Sequence, residues 1–121
     1  MSEVIDKVKG FGELPDGWHY GQGTAPSDDT IRLAIKLLRR AAFLGITRMN
    51  AFPGVEGEVE ISFYHRESML ELTLELDNSF TIAEDEGRSQ ILFKEGASWS
   101  EAYSKLGEFS QKLKVKRPTP S

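Results

Sequence analysis

Met69–Leu76 reads MLELTLEL. Leucines stand at 70, 72, 74 and 76, with Glu71, Thr73 and Glu75 between them. A period of two sends successive side chains to opposite faces of a strand, so this segment predicts a strand with one apolar face. Glu58–Tyr64, EVEISFY, alternates in the same way: Val59, Ile61 and Phe63 point one way, and Glu58, Glu60, Ser62 and Tyr64 the other. His65–Ser68, HRES, leaves room only for a hairpin turn, so the two strands run antiparallel. Asp77–Ser79 is a second turn signal and FTIAE, from Phe80, a third strand. EDEGRS turns again, and QILFKE, from Gln90, predicts a fourth strand. ITRMNAFPGVEG, ahead of the first strand, reads as a connection because Pro53, Gly54 and Gly57 punctuate it.

Helical spacing flanks this meander. Ser27 is suited to cap a helix, and Asp28 and Asp29 place negative charge in its first turn, where the helix dipole favours it. Ile31, Ala34, Ile35, Leu38, Ala41 and Ala42 trace its apolar face, and Gly45 stops it. Ser98 and Glu101 have the spacing of a capping box, and Trp99, Ala102, Tyr103, Leu106, Phe109 and Leu113 follow at helical intervals. Val4, Ile5 and Val8 predict a further short helix ending near Gly12. An alternating sheet needs a cover for its apolar face, and the two amphipathic helices supply it. The expected fold is two-layer α+β, an antiparallel four-stranded meander covered on one face by two helices. It forms a single domain over 1–113, and the basic, proline-containing tail 114–121 is expected to be disordered.

A chain of 121 residues fits one domain that buries its own core. It has no cysteine, which removes disulfides, thiolate catalysis and cysteine-ligated metals. Nineteen acidic against 15 basic residues give a net charge of −4, whereas nucleic-acid binders are more often basic. The opening MSEVIDKVKGFGEL does not read as a signal peptide, because Glu3 and Asp6 interrupt its apolar run. Ile31–Gly45 is too short and too basic to span a bilayer. The expectation is a cytoplasmic protein with no membrane partner.

Leu14–Leu38, LPDGWHYGQGTAPSDDTIRLAIKLL, and Gly57–Asp85, GEVEISFYHRESMLELTLELDNSFTIAED, carry a resemblance. Together they resemble a loose group of small bacterial, phage and plasmid proteins. These share a Leu-x-x-Gly-Trp-x-x-x-Gly loop, a proline before a helix, and a strand hairpin. The pattern covers Leu14 to about Glu84. It departs at Phe63, where the group usually has tryptophan, and at Asp77-Asn78 in the turn. The resemblance implies the same fold but no reaction, so no catalytic residue is carried over from it.

Candidate chemistry is sparse. His19 and His65 fall short of a three-histidine zinc site, and nothing in the sequence brings them together. No Gly-x-Ser-x-Gly motif occurs. GWHYGQG resembles a phosphate loop only superficially, because Asp28 and Asp29 at the following helix start would repel phosphate. Trp18 reads instead as an indole packed over the helix–sheet seam, with glycines allowing the tight path around it. Glu84–Gly87 reads as a solvated hairpin loop rather than a calcium turn.

Two charged surfaces stand out. Glu58, Glu60, Glu71 and Glu75, with Tyr64, gather on the strand face opposite the leucines. Arg32, Lys36, Arg39 and Arg40 form one stripe of the first strong helix. Solvation of exposed faces accounts for both. A functional reading makes them contact surfaces, the acidic face docking on a basic protein.

Three functions follow, in order. The first is a protein-binding module that recognises or inhibits a macromolecular partner. The second is a small-ligand sensor with a pocket of Trp18, Tyr20 and Trp99. The third is nucleic-acid binding through the Arg32–Arg40 stripe and the basic tail. An enzyme ranks below all three; no catalytic residue, metal or cofactor is assigned. Either sheet edge is open to pairing in a homodimer.

Overall fold

A computed structural model describes residues 2–114 of the chain. The tail 115–121 lies outside the described residues, so the expectation of disorder there falls outside them too; Lys114 closes a 3₁₀ turn, Lys112–Lys114.

The fold is α+β, with one antiparallel sheet of five strands and three helices. In chain order these are α1 (Ser2–Phe11), α2 (Asp28–Phe43), β1 (Met49–Pro53), β2 (Val59–His65), β3 (Ser68–Leu74), β4 (Phe80–Glu86), β5 (Ser89–Ala97) and α3 (Trp99–Gln111). The strands stand side by side in sequence order, a pure meander.

Two corrections concern the count. Met49–Pro53, expected as a connection, is strand β1 and pairs with β2 from Met49↔Phe63 to Pro53↔Val59. An edge strand tolerates a terminal proline because no ladder donor is needed there. With only five residues, its alternation is too short to outweigh the turn signals beside it. The further short helix expected near the N-terminus forms as α1 and packs against β1 and α2, so the core draws on three helices instead of two.

Both capped helices form as their ends dictate. The Thr30 N–H donates to Ser27 Oγ at 3.1 Å. In the box before α3, Glu101 N–H donates to Ser98 Oγ at 3.1 Å and Ser98 N–H to Glu101 Oε2 at 3.0 Å. In the second turn, Asp77 Oδ1 accepts from the N–H and hydroxyl of Ser79 at 2.9 and 2.6 Å. Asn78 there takes φ 67°, a left-handed conformation that asparagine tolerates.

One core joins all three helices to one face of the sheet. Val59, Ile61 and Phe63 of β2, Leu70, Leu72 and Leu74 of β3, and Phe80 and Ile82 of β4 meet Val8, Leu37, Leu38, Leu106 and Phe109. Burying such side chains contributes about 1.5–3 kcal/mol each, the main term holding the layers together.

The acidic run is the third correction. Glu84, Asp85 and Glu86 belong to β4, not to a solvated loop. Alternation continues through the run, so Glu84 follows Phe80 and Ile82 to the core face, where it is 3% exposed. Its carboxylate survives there because α3 and the turn after it bring two ammonium groups. Lys105 Nζ lies 2.6 Å from Oε1 and Lys112 Nζ 3.2 Å from Oε2. A buried carboxylate is tolerated only when paired and hydrogen-bonded in this way.

Candidate functional site

The register assembles the acidic face residue by residue. Glu60 stands opposite Phe52 and Thr73, and Ser62 opposite Asn50 and Glu71. Glu71 stands opposite Ala83, Met69 opposite Asp85, and Ala83 opposite Phe93. Glu60, Glu71 and Asp85 thus run diagonally across β2, β3 and β4, each two residues along from the last. Diagonal neighbours lie roughly 7–8 Å apart at the backbone, within reach of long side chains. None of the outward positions in this register carries lysine or arginine.

Crowding of like charge leaves a mark. The Glu71 carboxyl is pushed above the usual carboxylate range by partial burial, then by the charge of Glu60, a hydrogen bond with Glu60 and the charge of Asp85. Asp85 Oδ1 is buried without a hydrogen-bond partner. Glu75 is raised as well, by partial burial and then by Glu58, Asp77 and Glu95. These residues, with Glu56, line a recess of about 550 Å³ at the end of the sheet. Phe52 and Phe93, both exposed, frame the acidic diagonal from the two edge strands.

The structure therefore brings Glu60, Tyr64 and Glu71 onto one sheet face, with Glu58 and Glu75 at its end. Asp85 and Glu95 join them and escaped the sequence reading. Carrying the alternation of FTIAE through the next two residues would have found Asp85.

Of the basic stripe, Arg32, Lys36 and Arg39 line one groove. Arg40 stands apart, its guanidinium 5.2 Å from the centre of the Phe43 ring and 5.9 Å from that of Tyr103. Lys36 also lies over the Trp99 ring at 5.4 Å. Arg32 is ion-paired with Asp29.

The three aromatic candidates fall into two clusters. Trp99 packs between Phe80 and Tyr103, at centroid distances of 5.4 and 5.0 Å. Trp18 meets His19 edge-on at 5.4 Å, and His19 meets Tyr20 at 4.9 Å. Trp18 was expected over the helix–sheet seam, but it is half-buried and is not among the side chains packed on the core. Its partner is its own loop. A Cβ on Gly23, at φ 108°, would come within 2.7 Å of Trp18 Nε1, so only glycine lets the indole lie there. Tyr20 and Gly21, both left-handed, form the tip of a two-residue hairpin closed by His19 and Gln22. The Tyr20 side chain is 95% exposed. Among the described residues no group of three or more histidines and carboxylates is placed to hold a metal ion. No described helix is long and apolar enough to cross a membrane.

Comparison with protein-family models, curated proteins and solved structures finds no match to this chain.

Proposed function

We propose that this chain is a non-enzymatic protein-binding module, a recogniser or inhibitor whose outward sheet face docks on a basic protein surface. The reading takes the helices as the cover of one sheet face and leaves the other for the partner. One observation carries it: Glu60, Glu71 and Asp85 share the outward register positions of the sheet, and no lysine or arginine stands among those positions. Like charges held as neighbours raise the energy of the free protein. A cationic partner relieves that strain, and complementary fields speed the encounter. Phe93 supplies an exposed aromatic anchor at one rim, while Phe52 at the other lies under the Lys7 ammonium at 4.7 Å. The resemblance to small phage and bacterial proteins suggests an inhibitor, immunity or anti-defence type of partner.

The test is affinity purification from the native host with the wild-type chain and with Glu60→Lys/Glu71→Lys. The expected result is a stoichiometric, basic partner held by the wild type and lost by the variant, with an association rate that falls as salt rises. Recovery of the same partner by both proteins, or of none, sinks the reading.

A further inference from the structure

The outward sheet face carries more than carboxylates. Tyr64 stands opposite Met69 and Met69 opposite Asp85, while Glu71 stands opposite Ala83 and Ala83 opposite Phe93. Met69, Asp85, Ala83 and Glu71 are therefore the corners of one square on β3 and β4. The carboxylates hold one diagonal and the apolar side chains the other. Tyr64 extends the apolar diagonal on β2 and Phe93 on β5. Tyr64, Met69 and Ala83 are half-buried, and Phe93 leaves 55% of its surface in water. Directly opposite side chains stand about 4.5–5.5 Å apart, so a partner that meets the carboxylates also meets this band.

The arrangement limits the form of that partner. An extended segment laid flat on the face would turn backbone N–H and C=O groups toward side chains unable to pair them all. A helix arrives with its backbone bonds already made, and a helix layer is an ordinary cover for a sheet face. Two diagonal steps, from Glu60 to Glu71 to Asp85, span about 15 Å, roughly ten helical residues. Lysines or arginines one turn apart along a helix reach all three carboxylates. The α2 helix of a second copy is a poorer match, because Arg32 is paired with Asp29, Lys36 lies over Trp99 and Arg40 over Phe43.

Given the docking face proposed above, on which this rests, we infer that its occupant is an amphipathic cationic helix. Its lysines or arginines meet Glu60, Glu71 and Asp85, and its apolar side chains meet Met69, Ala83 and Phe93.

The probe is a blocked peptide of about 15 residues, with leucine and lysine at helical spacing, titrated into isotope-labelled protein. Saturable 1:1 binding is expected, with amide shifts gathered on β2–β5 and a gain of helical circular dichroism in the peptide. Affinity should fall as salt rises. Glu60→Lys/Glu71→Lys should weaken the peptide by at least about tenfold and Phe93→Ser by about fivefold, each variant keeping a cooperative melting transition. A peptide with every leucine changed to serine keeps the charge without the apolar stripe, and should bind at least about tenfold more weakly. Equal binding of the serine peptide, or wild-type affinity in Phe93→Ser, overturns the helix and leaves the docking face standing. No saturable binding of either peptide, or wild-type affinity in the double glutamate variant, overturns both. Salt-sensitive self-association of the free chain that the double glutamate variant abolishes gives the face to a second copy and also overturns the inference.

Discussion

Glu84 and Asp85 are neighbours in sequence and opposites in circumstance. Glu84 lies on the core face of β4, with Lys105 and Lys112 against its two oxygens. Asp85 lies on the outward face beside Glu71, and its Oδ1 has no partner. The same strand thus holds one carboxylate paired on both oxygens and one with a buried oxygen that has no partner. The difference is the supply of cations. On the core side α3 and the turn after it deliver two ammonium groups; the outward register positions deliver none. Burial disfavours the charged form of Lys105, but its hydrogen bonds to Glu84 and Glu108 outweigh this and leave it raised above the usual lysine range. Lys112 is raised against burial in the same way, by Glu86 and Glu84. A lysine raised on folding contributes stability that is fully present below its ordinary pKa and lost as pH rises through the folded value. At neutral pH the network is therefore intact.

Substitutions on the two faces should separate the roles. The largest effect is expected from Leu72→Glu, which puts a carboxylate on the core face between the buried Leu70 and Leu74. It should leave the chain unfolded at neutral pH, a loss of about 5 kcal/mol or more by circular dichroism. Thr73→Glu, one residue on and outward, should cost about 1 kcal/mol at most. Equal losses at the two positions would erase the distinction between faces. Next comes Glu84→Ala, which removes the buried carboxylate and leaves Lys105 and Lys112 to the exposed Glu108 and Glu86; it should cost about 2 kcal/mol in urea unfolding. A loss below about 1 kcal/mol would mean that water already serves the lysines.

Trp18→Ala should cost about 1 kcal/mol, because the indole packs within its own loop and not on the core. Phe80→Ala, which opens the core beneath Trp99, should cost about 3–5 kcal/mol. Parity between the two aromatics would return Trp18 to the core.

The smallest effect has the opposite sign. Glu71→Gln should stabilise the chain by about 0.5 kcal/mol at neutral pH by removing a like charge from the outward face. The Glu71 carboxyl is raised on folding, so the folded chain binds its proton more tightly than the unfolded chain does. Its contribution to stability therefore falls as pH rises through the raised value, and is most favourable below the ordinary value of 4.5. The advantage of glutamine should disappear as the medium is acidified below that point. An advantage that persists at low pH would show that shape, not charge, is responsible.

Much of the architecture is legible in short stretches. Leu70, Leu72 and Leu74 announce the buried face of β3, Ser98 and Glu101 the start of α3, and Asp77 and Ser79 the turn before β4. Other features lie beyond any local pattern. β1 escaped because five residues containing Asn50 and Pro53 look like a loop until β2 offers its ladder. Trp18 suggested a core anchor because large aromatics usually bury, and only the path of its loop shows Gly23 as its seat.

The division has a physical basis. Periodicity, caps and turn residues act over a few neighbouring residues, so the sequence by itself determined most strands, the helix starts and the acidic face around Glu60 and Glu71. Which carboxylate is neutralised depends on groups far along the chain, because Coulomb energy follows distance in space. Only the tertiary structure paired Glu84 with Lys105 and Lys112, set Asp85 beside Glu71 without a cation, and brought Lys9, Lys36 and Arg39 to one groove between α1 and α2.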